Sequence, residues 1–314
     1  MNISYYTSHA NGKRKPDMAF FQKCIDISLI LVVSLAQWQM DGIAASKAAG
    51  KPVLMGEFNT ASCGGFPGTS DTFAATLWVV DYVLQLASVG YDGAYIHTRE
   101  RGITYNLFDP PASNDSSTNW TTLPTYYSLL TVSEALSPGW QNGSFVVDFG
   151  LNNNSETSTI AGYGIYDGQT NALSSMVFLN YADVGQGGAS FSLPSLGRST
   201  ISTRILAASS LTEKFNISWA GMTYRGVGNG VAVSSGFAED QEITCGDTCN
   251  FVVPSPGSVV VWLGDLDSDK SPVPADSNSS GARSRFSLHY VWSGFFSILS
   301  FIFGLHLSVS LFPS

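Results

Sequence analysis

Residues 51–65 read KPVLMGEFNTASCGG, an apolar run that ends in a glutamate and continues into a loop of small residues. Pro52 and the apolar residues after it are typical of a strand, and the alanine-rich segment that ends at Gly50 is typical of a helix. A carboxylate at the end of a buried strand costs free energy unless it has a partner or a task. Glu57 is therefore the first candidate for a functional residue.

Helices and strands alternate along the chain from about Val32 to residue 136. The run TFAATLWVVDYVLQLASVG has helical spacing of apolar residues, with Ser70 and Asp71 as candidate N-cap residues. GAYIHT is a candidate buried strand, and LPTYYSLLTVSEAL is a candidate amphipathic helix. This order predicts a parallel sheet covered by helices. Because two strands do not make a stable parallel sheet on their own, we expect the end of a larger βα array.

A different pattern occupies residues 140–263. Short runs rich in β-branched and aromatic residues are separated by Gly, Asn, Ser and Pro; they are FVVDF, TIAGYGIY, LSSMVFLNYA, ASFSLP, ISTRILA, VAVSS and SVVVWLG. Short strands at this spacing predict an antiparallel β-sandwich.

The C-terminal segment has the composition of a membrane-anchor signal. Small residues at 278–282 precede a polar spacer with Arg283 and Arg285, and residues 291–312 are apolar and uncharged. This order predicts a glycolipid-anchor signal whose tail is removed on attachment, with a retained tail anchor as the alternative. Residues 1–31 stay unassigned, because their basic cluster and apolar run resemble a late signal peptide and also fit an incomplete gene model.

Charge and sequons restrict the class of protein. The net charge is −9 without a basic stripe, which argues against a nucleic-acid partner. Asn-x-Ser/Thr sequons in a Ser/Thr-rich chain predict a secreted or cell-surface glycoprotein. The internal candidate glycosylation sites are Asn114, Asn119, Asn142, Asn153 and Asn216.

The cysteines offer one candidate disulfide. Cys245 and Cys249 are close enough for a small disulfide loop in an oxidising compartment, and two reduced thiols are the alternative. No second ligand pair of suitable spacing accompanies them, so we expect no metal site and no cofactor.

The residues after Glu57 suit contact with a sugar ring. Asn59 and the small-residue loop at 62–65 supply hydrogen-bond donors and allow close backbone approach. The next strand ends near His97, followed by Arg99, and both strand ends would face the same rim. A structural glutamate paired to a neighbouring arginine is the alternative for Glu57.

Four segments carry a resemblance to a known family. GKPVLMGEFNTASCGG, SDTFAATLWVVDYVLQLASVGYDGAYIHTR, GITYNLFDPP and YYSLLTVSEAL look like glycoside hydrolase family 79, the fungal and bacterial β-glucuronidases related to heparanase. The resemblance implies an α/β plus all-β fold, with the C-terminal fragment of a (β/α)8 barrel followed by an antiparallel β-sandwich. The corresponding parts are an unassigned segment at 1–31, the barrel end at 32–137, the sandwich at 138–265, a linker at 266–285 and the anchor signal at 286–314.

The resemblance also implies a retaining mechanism with Glu57 as nucleophile. The acid/base glutamate of the family follows an Asn, and no Asn-Glu dipeptide lies upstream of Glu57, so we expect the acid/base to be absent from this chain. Glu100 lies beyond the next strand and is not assigned that role. We therefore expect the chain, as an apparently truncated enzyme, to have little or no activity.

The glucuronate unit of the implied substrate carries a carboxylate that needs hydrogen-bond donors. The candidates are backbone N–H groups, a tyrosine hydroxyl and an arginine. Tyr95 and His97 share one strand face. Loop scaffolding, or pairing with Glu100 and Asp109, is the alternative for Arg99 and Arg101. A backbone-bonded buried side chain is the alternative for His97. The candidate substrate-binding residues are Asn59, Gly64, Gly65, Tyr95, His97, Arg99 and Tyr105.

The sequence supports two functional hypotheses. The first is a retaining hydrolase that acts on β-linked glucuronic acid in glycans. The second is a non-catalytic glycan-binding or structural β-sandwich module with a barrel remnant, for which Tyr163, Tyr166, Trp219 and Tyr224 are candidate aromatic platforms.

Overall fold

The structure, a computed structural model, describes residues 32–263 apart from 113–118, 140–142, 152–157, 184 and 225–229. The unassigned start, the linker and the anchor signal expected from the sequence lie outside the described residues. Among the residues that are described, no helix is both long enough and apolar enough to cross a bilayer.

The first part of the described chain alternates between helices and strands, as the sequence predicts. Its elements, after helical turns at 32–37, are α1 (Met40–Ala48), β1 (Leu54–Phe58), α2 (Phe73–Ser88), β2 (Gly93–Ile96), β3 (Phe108–Asp109), β4 (Thr121–Thr122) and α3 (Tyr126–Leu136). Strands β1 and β2 are parallel neighbours, and β3 pairs with β4 in antiparallel orientation.

Helix α1 ends as predicted at Gly50. The Gly50 N–H donates to the Lys47 carbonyl and the Lys51 N–H donates to the Ser46 carbonyl, both at 2.9 Å. With Gly50 at a φ of +65°, this is the glycine-terminated pattern that satisfies the last carbonyls of a helix. The chain then reverses directly into β1.

The predicted caps of α2 are wrong. Thr72 is the N-cap residue and makes no side-chain capping bond. The first N–H groups of the helix are satisfied from elsewhere in the chain: Phe73 donates to the Glu213 carbonyl at 2.8 Å and Ala74 to the Leu211 carbonyl at 2.9 Å. A tertiary contact with the later β-rich part thus replaces the local cap.

Strand β1 is less buried than its apolar sequence suggests. Leu54 is 49% exposed, and of the five residues only Phe58 is fully buried. Within the described chain β1 has a strand neighbour on one side only, so its other edge has no sheet partner there. The expectation of a fully buried strand is therefore wrong for the described residues.

The second part of the described chain is antiparallel and β-rich, as expected. Its strands are β5 (Ser144–Asp148), β6 (Ile160–Asp167), β7 (Leu173–Asn180), β8 (Ala189–Pro194), β9 (Thr200–Ala208), β10 (Ile217–Trp219), β11 (Met222–Thr223), β12 (Val233–Ser234), β13 (Gln241–Thr244), β14 (Thr248–Val253) and β15 (Gly257–Trp262). The sequence analysis did not identify β10, β11, β13 or β14. The first two are very short and β13 is largely polar and exposed, whereas β14 alternates between exposed and buried residues.

Nine of these strands form one sheet, in the order β12-β11-β10-β9-β15-β7-β6-β5, with β13 also paired to β9. Strands β8 and β14 form a separate two-stranded ladder. The two sheets are thus very unequal, and the ladder covers only part of one face of the larger sheet.

The central strands of the larger sheet, β7, β9 and β15, are buried on both faces. Along β7, Met176 and Phe178 pack with the β8–β14 ladder, whereas Val177 and Leu179 belong to the core shared with the helices. Strand β15 alternates in the same way, as the two-residue period of a strand requires. The described chain therefore has α2 and α3 on one side of the sheet and the ladder on the other.

Helix α2 lies between β1 and the large sheet. Tyr82 packs edge-on against Phe58 of β1, with ring centroids 5.5 Å apart. On the opposite side the Tyr181 hydroxyl, which follows β7, lies 3.1 Å from the Leu77 carbonyl oxygen. Nearly all residues of α2 are buried, which explains why its sequence is apolar all round.

A buried carboxyl group joins α2 to the sheet. Asp81 is 1% exposed, and its two oxygens accept hydrogen bonds from Tyr163 at 2.5 Å and Tyr181 at 3.0 Å. The Tyr163 hydroxyl also lies 3.0 Å from Gln85 Oε1. Counting the contact with the Leu77 carbonyl, the two tyrosine hydroxyls make four contacts with oxygen atoms but carry only two protons. A proton on Asp81 therefore supplies a donor that the cluster lacks. Burial raises the pKa of Asp81 from 3.8 to about 7.

The pKa of Asp81 makes stability dependent on pH. The folded chain holds a proton on this carboxyl up to about pH 7, whereas the unfolded chain loses it near 3.8. The stabilisation from this bound proton is complete below the pKa of the unfolded chain and is lost as the pH rises through the pKa of the folded chain. We expect Asp81→Asn, which cannot titrate, to show a flatter profile. The difference in unfolding free energy between natural chain and variant should fall by about 1.4 kcal/mol per pH unit across this window.

Chemical denaturation at a series of pH values measures this difference. The exposed Asp247 offers a matched control, since Asp247→Asn removes a carboxylate that is in contact with water. The groups that act on the Asp81 charge are the hydroxyls of Tyr163 and Tyr181 and the charge of Asp148. Parallel pH profiles for the natural chain and Asp81→Asn would contradict the assignment.

Candidate active site

A register shift in the β1–β2 pair presents Glu57. Leu54 pairs with Gly93 and Phe58 pairs with Ile96, so the two residues Gly56 and Glu57 lie opposite the single residue Tyr95. Such a bulge re-aims a side chain at the end of a strand. The Glu57 side chain is 63% exposed and lies at the carboxyl ends of the two parallel strands. Tyr95 is half-buried beside it.

His97 continues the ladder past the end of β2 and lies beside Glu57. Its backbone N–H donates to the Phe58 carbonyl at 2.8 Å. Its side chain is 8% exposed, and Nδ1 is 3.7 Å from Glu57 Oε1. The imidazole also packs edge-on against Tyr105, with ring centroids 5.8 Å apart. The structure therefore brings three predicted site residues together.

Asn59 holds the strand ends and the following loop in place. Its Nδ2 donates to the His97 carbonyl at 2.7 Å and lies 3.4 Å from the Tyr105 carbonyl. Its Oδ1 accepts from the Thr60 N–H at 2.7 Å. Both polar ends of the amide are thus engaged by the chain itself, which makes Asn59 a positioning residue for the two loops.

The glycine loop is tied to the loop that carries Tyr105. Thr104 donates to the Gly64 carbonyl through both its Oγ1, at 2.6 Å, and its N–H, at 3.2 Å. Cys63, Gly64 and Gly65 all have positive φ angles, of 63°, 109° and 75°. Ser70, expected to cap α2, instead accepts from the Phe66 N–H at 2.9 Å and contacts Thr60 within the same loop.

The sequence analysis missed Asn106, which organises the second loop. Asn106 is fully buried, and its Oδ1 accepts from Thr98 Oγ1 at 2.9 Å and from the Arg99 N–H at 2.8 Å. Its Nδ2 donates to the Glu100 carbonyl at 2.9 Å and to Asp109 Oδ1 at 3.0 Å. The sequence feature that could have identified it is a lone asparagine inside the largely apolar run TYNLF, because a buried polar residue needs hydrogen-bond partners.

Tyr105 and Arg99 lie in the same cluster as Glu57. Tyr105 is 2% exposed, and burial raises the pKa of its phenol above the ordinary value of 10; the charge of Arg99 opposes this shift and that of Glu57 adds to it. The Tyr105 phenol therefore keeps its proton at neutral pH and can donate a hydrogen bond. Arg99 pairs with the exposed Glu100 at 3.0 Å. Arg101 donates to the Pro110 carbonyl at 3.1 Å, and this contact fits the loop-scaffolding alternative for Arg101.

The cluster combines one exposed carboxylate with several hydrogen-bond donors. A carboxylate in such a position can attack an electrophilic carbon, and the surrounding donors can hold a polar substrate. In the described part of the chain, no group of three His, Cys, Asp or Glu residues could hold a metal ion.

The remaining candidates lie away from this cluster. Cys245 and Cys249 form a disulfide in the structure, and Asn119 and Asn216 are exposed. The other three internal sequons, at Asn114, Asn142 and Asn153, lie outside the described residues.

The candidate aromatic platforms of the β-rich part do not form an exposed surface. Tyr163, Trp219 and Tyr224 are buried in the core, and Tyr166 stacks on Phe145 with ring centroids 5.1 Å apart. Three of these side chains therefore pack the protein interior and the fourth is half-buried, so they do not favour the glycan-binding module.

Comparisons with known proteins agree with the resemblance noted from the sequence. Residues 162–260 match the family described as Glycosyl hydrolase family 79 C-terminal beta domain. A β-glucuronidase of Neurospora crassa is 35% identical over 96 residues, which are 31% of this chain and 17% of that protein. The chain thus spans only a small part of the length of this relative.

A solved structure shares the fold. The 4-O-α-L-rhamnosyl-β-D-glucuronidase of Fusarium oxysporum, in its Rha-GlcA complex, aligns with a TM-score of 0.63 and 23% identity. The alignment covers 76% of this chain and 50% of that one, so this chain spans about half of the solved structure. At this identity the likeness concerns the fold alone.

Gly65 provides a test of the loop geometry. A Cβ at Gly65 would lie 2.5 Å from Thr104 Oγ1 and 2.7 Å from Ser70 Cβ, in a backbone with φ of +75°. Gly68 has a similar φ of +82° but nothing within 4 Å of a Cβ. We expect Gly68→Ala to cost about 1 kcal/mol from backbone strain alone, and Gly65→Ala about 2–4 kcal/mol because the clash adds to it.

Chemical denaturation measures both costs, and amide exchange of the Thr104 N–H reports whether the two loops separate. Gly68→Ala is the control for backbone strain. Equal destabilisation by the two variants would show that the loops are not packed as described.

Proposed function

We propose, from the glycosyl hydrolase family 79 C-terminal beta domain at residues 162–260, that this chain is the C-terminal part of a retaining glycoside hydrolase that acts on β-linked glucuronic acid in glycans. The observation that carries the proposal is the exposed Glu57 carboxylate, which a bulge presents at the ends of two parallel strands beside His97, Arg99 and Tyr105. The Neurospora relative is a β-glucuronidase, which supports the choice of glucuronide as substrate.

The proposal assigns the parallel pair β1–β2 and the intervening α2 to the end of a (β/α)8 barrel. In such barrels the active site lies at the carboxyl ends of the strands, which is where Glu57 and His97 lie here. The free edge of β1 within the described residues is compatible with a further parallel strand beside it.

Glu57 is the proposed nucleophile. Its carboxylate oxygen attacks the anomeric carbon and forms a glycosyl-enzyme ester, while the glycosidic oxygen leaves with the bonding electron pair. In retaining enzymes a second carboxyl group, roughly 5 Å away, protonates that oxygen and then takes a proton from the water that cleaves the ester. No residue of this chain is assigned that second role.

The glucuronate carboxylate would meet the Tyr105 hydroxyl, the Arg99 guanidinium and the backbone around Gly64 and Gly65. The protonated phenol of Tyr105 can donate, and Arg99 adds a positive charge beside it. A neutral sugar lacks the negative charge that these groups would pair with. The substrate preference therefore depends on this donor set.

A trapping experiment tests the nucleophile without requiring an acid. 2,4-Dinitrophenyl 2-deoxy-2-fluoro-β-glucuronide carries a leaving group that departs without protonation, and its fluorine slows hydrolysis of the ester. We expect intact-mass spectrometry to show the addition of one fluoroglucuronyl group to the chain. Peptide mapping should place it on Glu57.

Three comparisons sharpen the trapping result. Glu57→Gln should abolish labelling, whereas Glu100→Gln, which alters an exposed neighbouring carboxylate, should label as the natural chain does. The corresponding fluoroglucoside, which lacks the carboxylate, should label at least about tenfold more slowly, because it cannot form the charge-assisted contacts. Absence of labelling, or labelling at another residue, would overturn the proposal.

The proposed setting is the cell surface or extracellular space, with a glycolipid anchor or tail holding the protein at the membrane. The exposed sequon asparagines Asn119 and Asn216 and the Cys245–Cys249 disulfide support a secretory route.

Expression of the chain in a secreting eukaryotic cell tests this setting. We expect removal of Asn-linked glycans to lower the apparent mass, and Asn216→Gln to remove one glycan's share of that change. We also expect a phosphatidylinositol-specific phospholipase to release the protein from the cell surface. An unglycosylated protein inside the cell would contradict the assignment.

A further inference from the structure

His97 has an unsatisfied buried atom that faces Glu57. Nδ1 of His97 is inaccessible to water and has no hydrogen-bond partner among the described residues. The polar atom that the structure pairs it with is Glu57 Oε1, at 3.7 Å. This distance is longer than the 2.7–3.2 Å of an N–H···O hydrogen bond by about half an ångström.

An orphaned polar group of this kind is costly. Leaving a buried donor or acceptor unpaired costs roughly 1–3 kcal/mol. The imidazole is held firmly, since its backbone is bonded to Phe58 and to the Asn59 amide and its ring packs against Tyr105. Glu57 is the mobile partner, because its side chain is mostly exposed. A small change of the Glu57 rotamer is enough to close the gap.

The geometry points to His97 as the positioning residue of Glu57. The neutral imidazole carries its proton on Nδ1, and this N–H donates a hydrogen bond to Oε1 of the carboxylate. The other carboxylate oxygen stays directed at the substrate. Hydrogen bonds in active sites are often long in the free protein and shorten when substrate binds. The inference rests on the proposed function, since it gives Glu57 the orientation that attack requires.

The bulge supports this role. Because Gly56 and Glu57 occupy the space opposite Tyr95 alone, the Glu57 side chain is displaced from the regular strand position. The backbone by itself leaves it mobile, and a fixed donor on the neighbouring strand is what can hold it. Preorganised donors of this type are the usual means of fixing a catalytic group.

Nitrogen-15 NMR of the histidine side chains tests the contact in the chain as it exists. We expect the His97 signal, identified by its loss in His97→Gln, to show a protonated and hydrogen-bonded Nδ1. This signature should be lost in Glu57→Ala and kept in Glu100→Gln, the neighbouring carboxylate. An Nδ1 signal that does not respond to Glu57→Ala would overturn the inference.

Labelling by the fluoroglucuronide gives the functional readout. His97→Phe keeps a ring against Tyr105 but lacks the donor, whereas His97→Asn retains an amide donor near the position of Nδ1. We expect the rate of labelling to fall at least about tenfold in the Phe variant and to stay within about threefold in the Asn variant, as expected for a hydrogen bond to a charged group. Equal losses in both variants would mean that His97 acts only in packing.

The two experiments separate the inference from the proposed function. If the natural chain is not labelled but the imidazole signature depends on Glu57, the proposed function fails and the contact stands. If the natural chain is labelled and His97→Phe is labelled at the same rate, the proposed function stands and this inference fails.

Discussion

The contact between Asp81 and the hydroxyls of Tyr163 and Tyr181 is the interaction on which the arrangement of the described chain depends. It places a carboxyl group in the interior, where an unpaired charge would be prohibitive, and connects α2 to β6 and to the residue that follows β7. The same helix receives its first backbone hydrogen bonds from the carbonyls of Glu213 and Leu211. The helix is therefore held by polar contacts at its start and along its length.

This anchoring determines where the candidate active site lies. Helix α2 connects β1 to β2 and packs against β1 through Phe58 and Tyr82. Because α2 is fixed on the large sheet, the two parallel strands are fixed with it, and their carboxyl ends bring Glu57 and His97 side by side. The β-rich part thus acts on the site through the helix, although no residue of the large sheet belongs to the cluster around Glu57.

Two asparagine side chains, the half-buried Asn59 and the buried Asn106, give the site its local order. Asn59 bonds the carbonyls that follow β2, and Asn106 closes the turn that carries Arg99 and Asp109. Each satisfies backbone groups that a loop would otherwise leave unpaired. The loop with Gly64 and Gly65 then packs tightly on Thr104, because glycine alone permits both the positive φ and the close approach. The residues that support the cluster are therefore as specific as those that face a substrate.

The sequence by itself determined the order of helices and strands, the antiparallel β-rich second part and the position of Glu57 at a strand end. These follow from local periodicity, from glycine and proline signals and from recognisable segments, all of which are readable along the chain. Only the tertiary structure decided that Ser70 belongs to a loop and does not cap α2. It also decided that β1 has a strand neighbour on one side only among the described residues, and that Glu57 lies on a bulge beside Nδ1 of His97. It also revealed Asp81 and Asn106, since the partners of a buried polar residue come from distant parts of the chain and leave no local pattern.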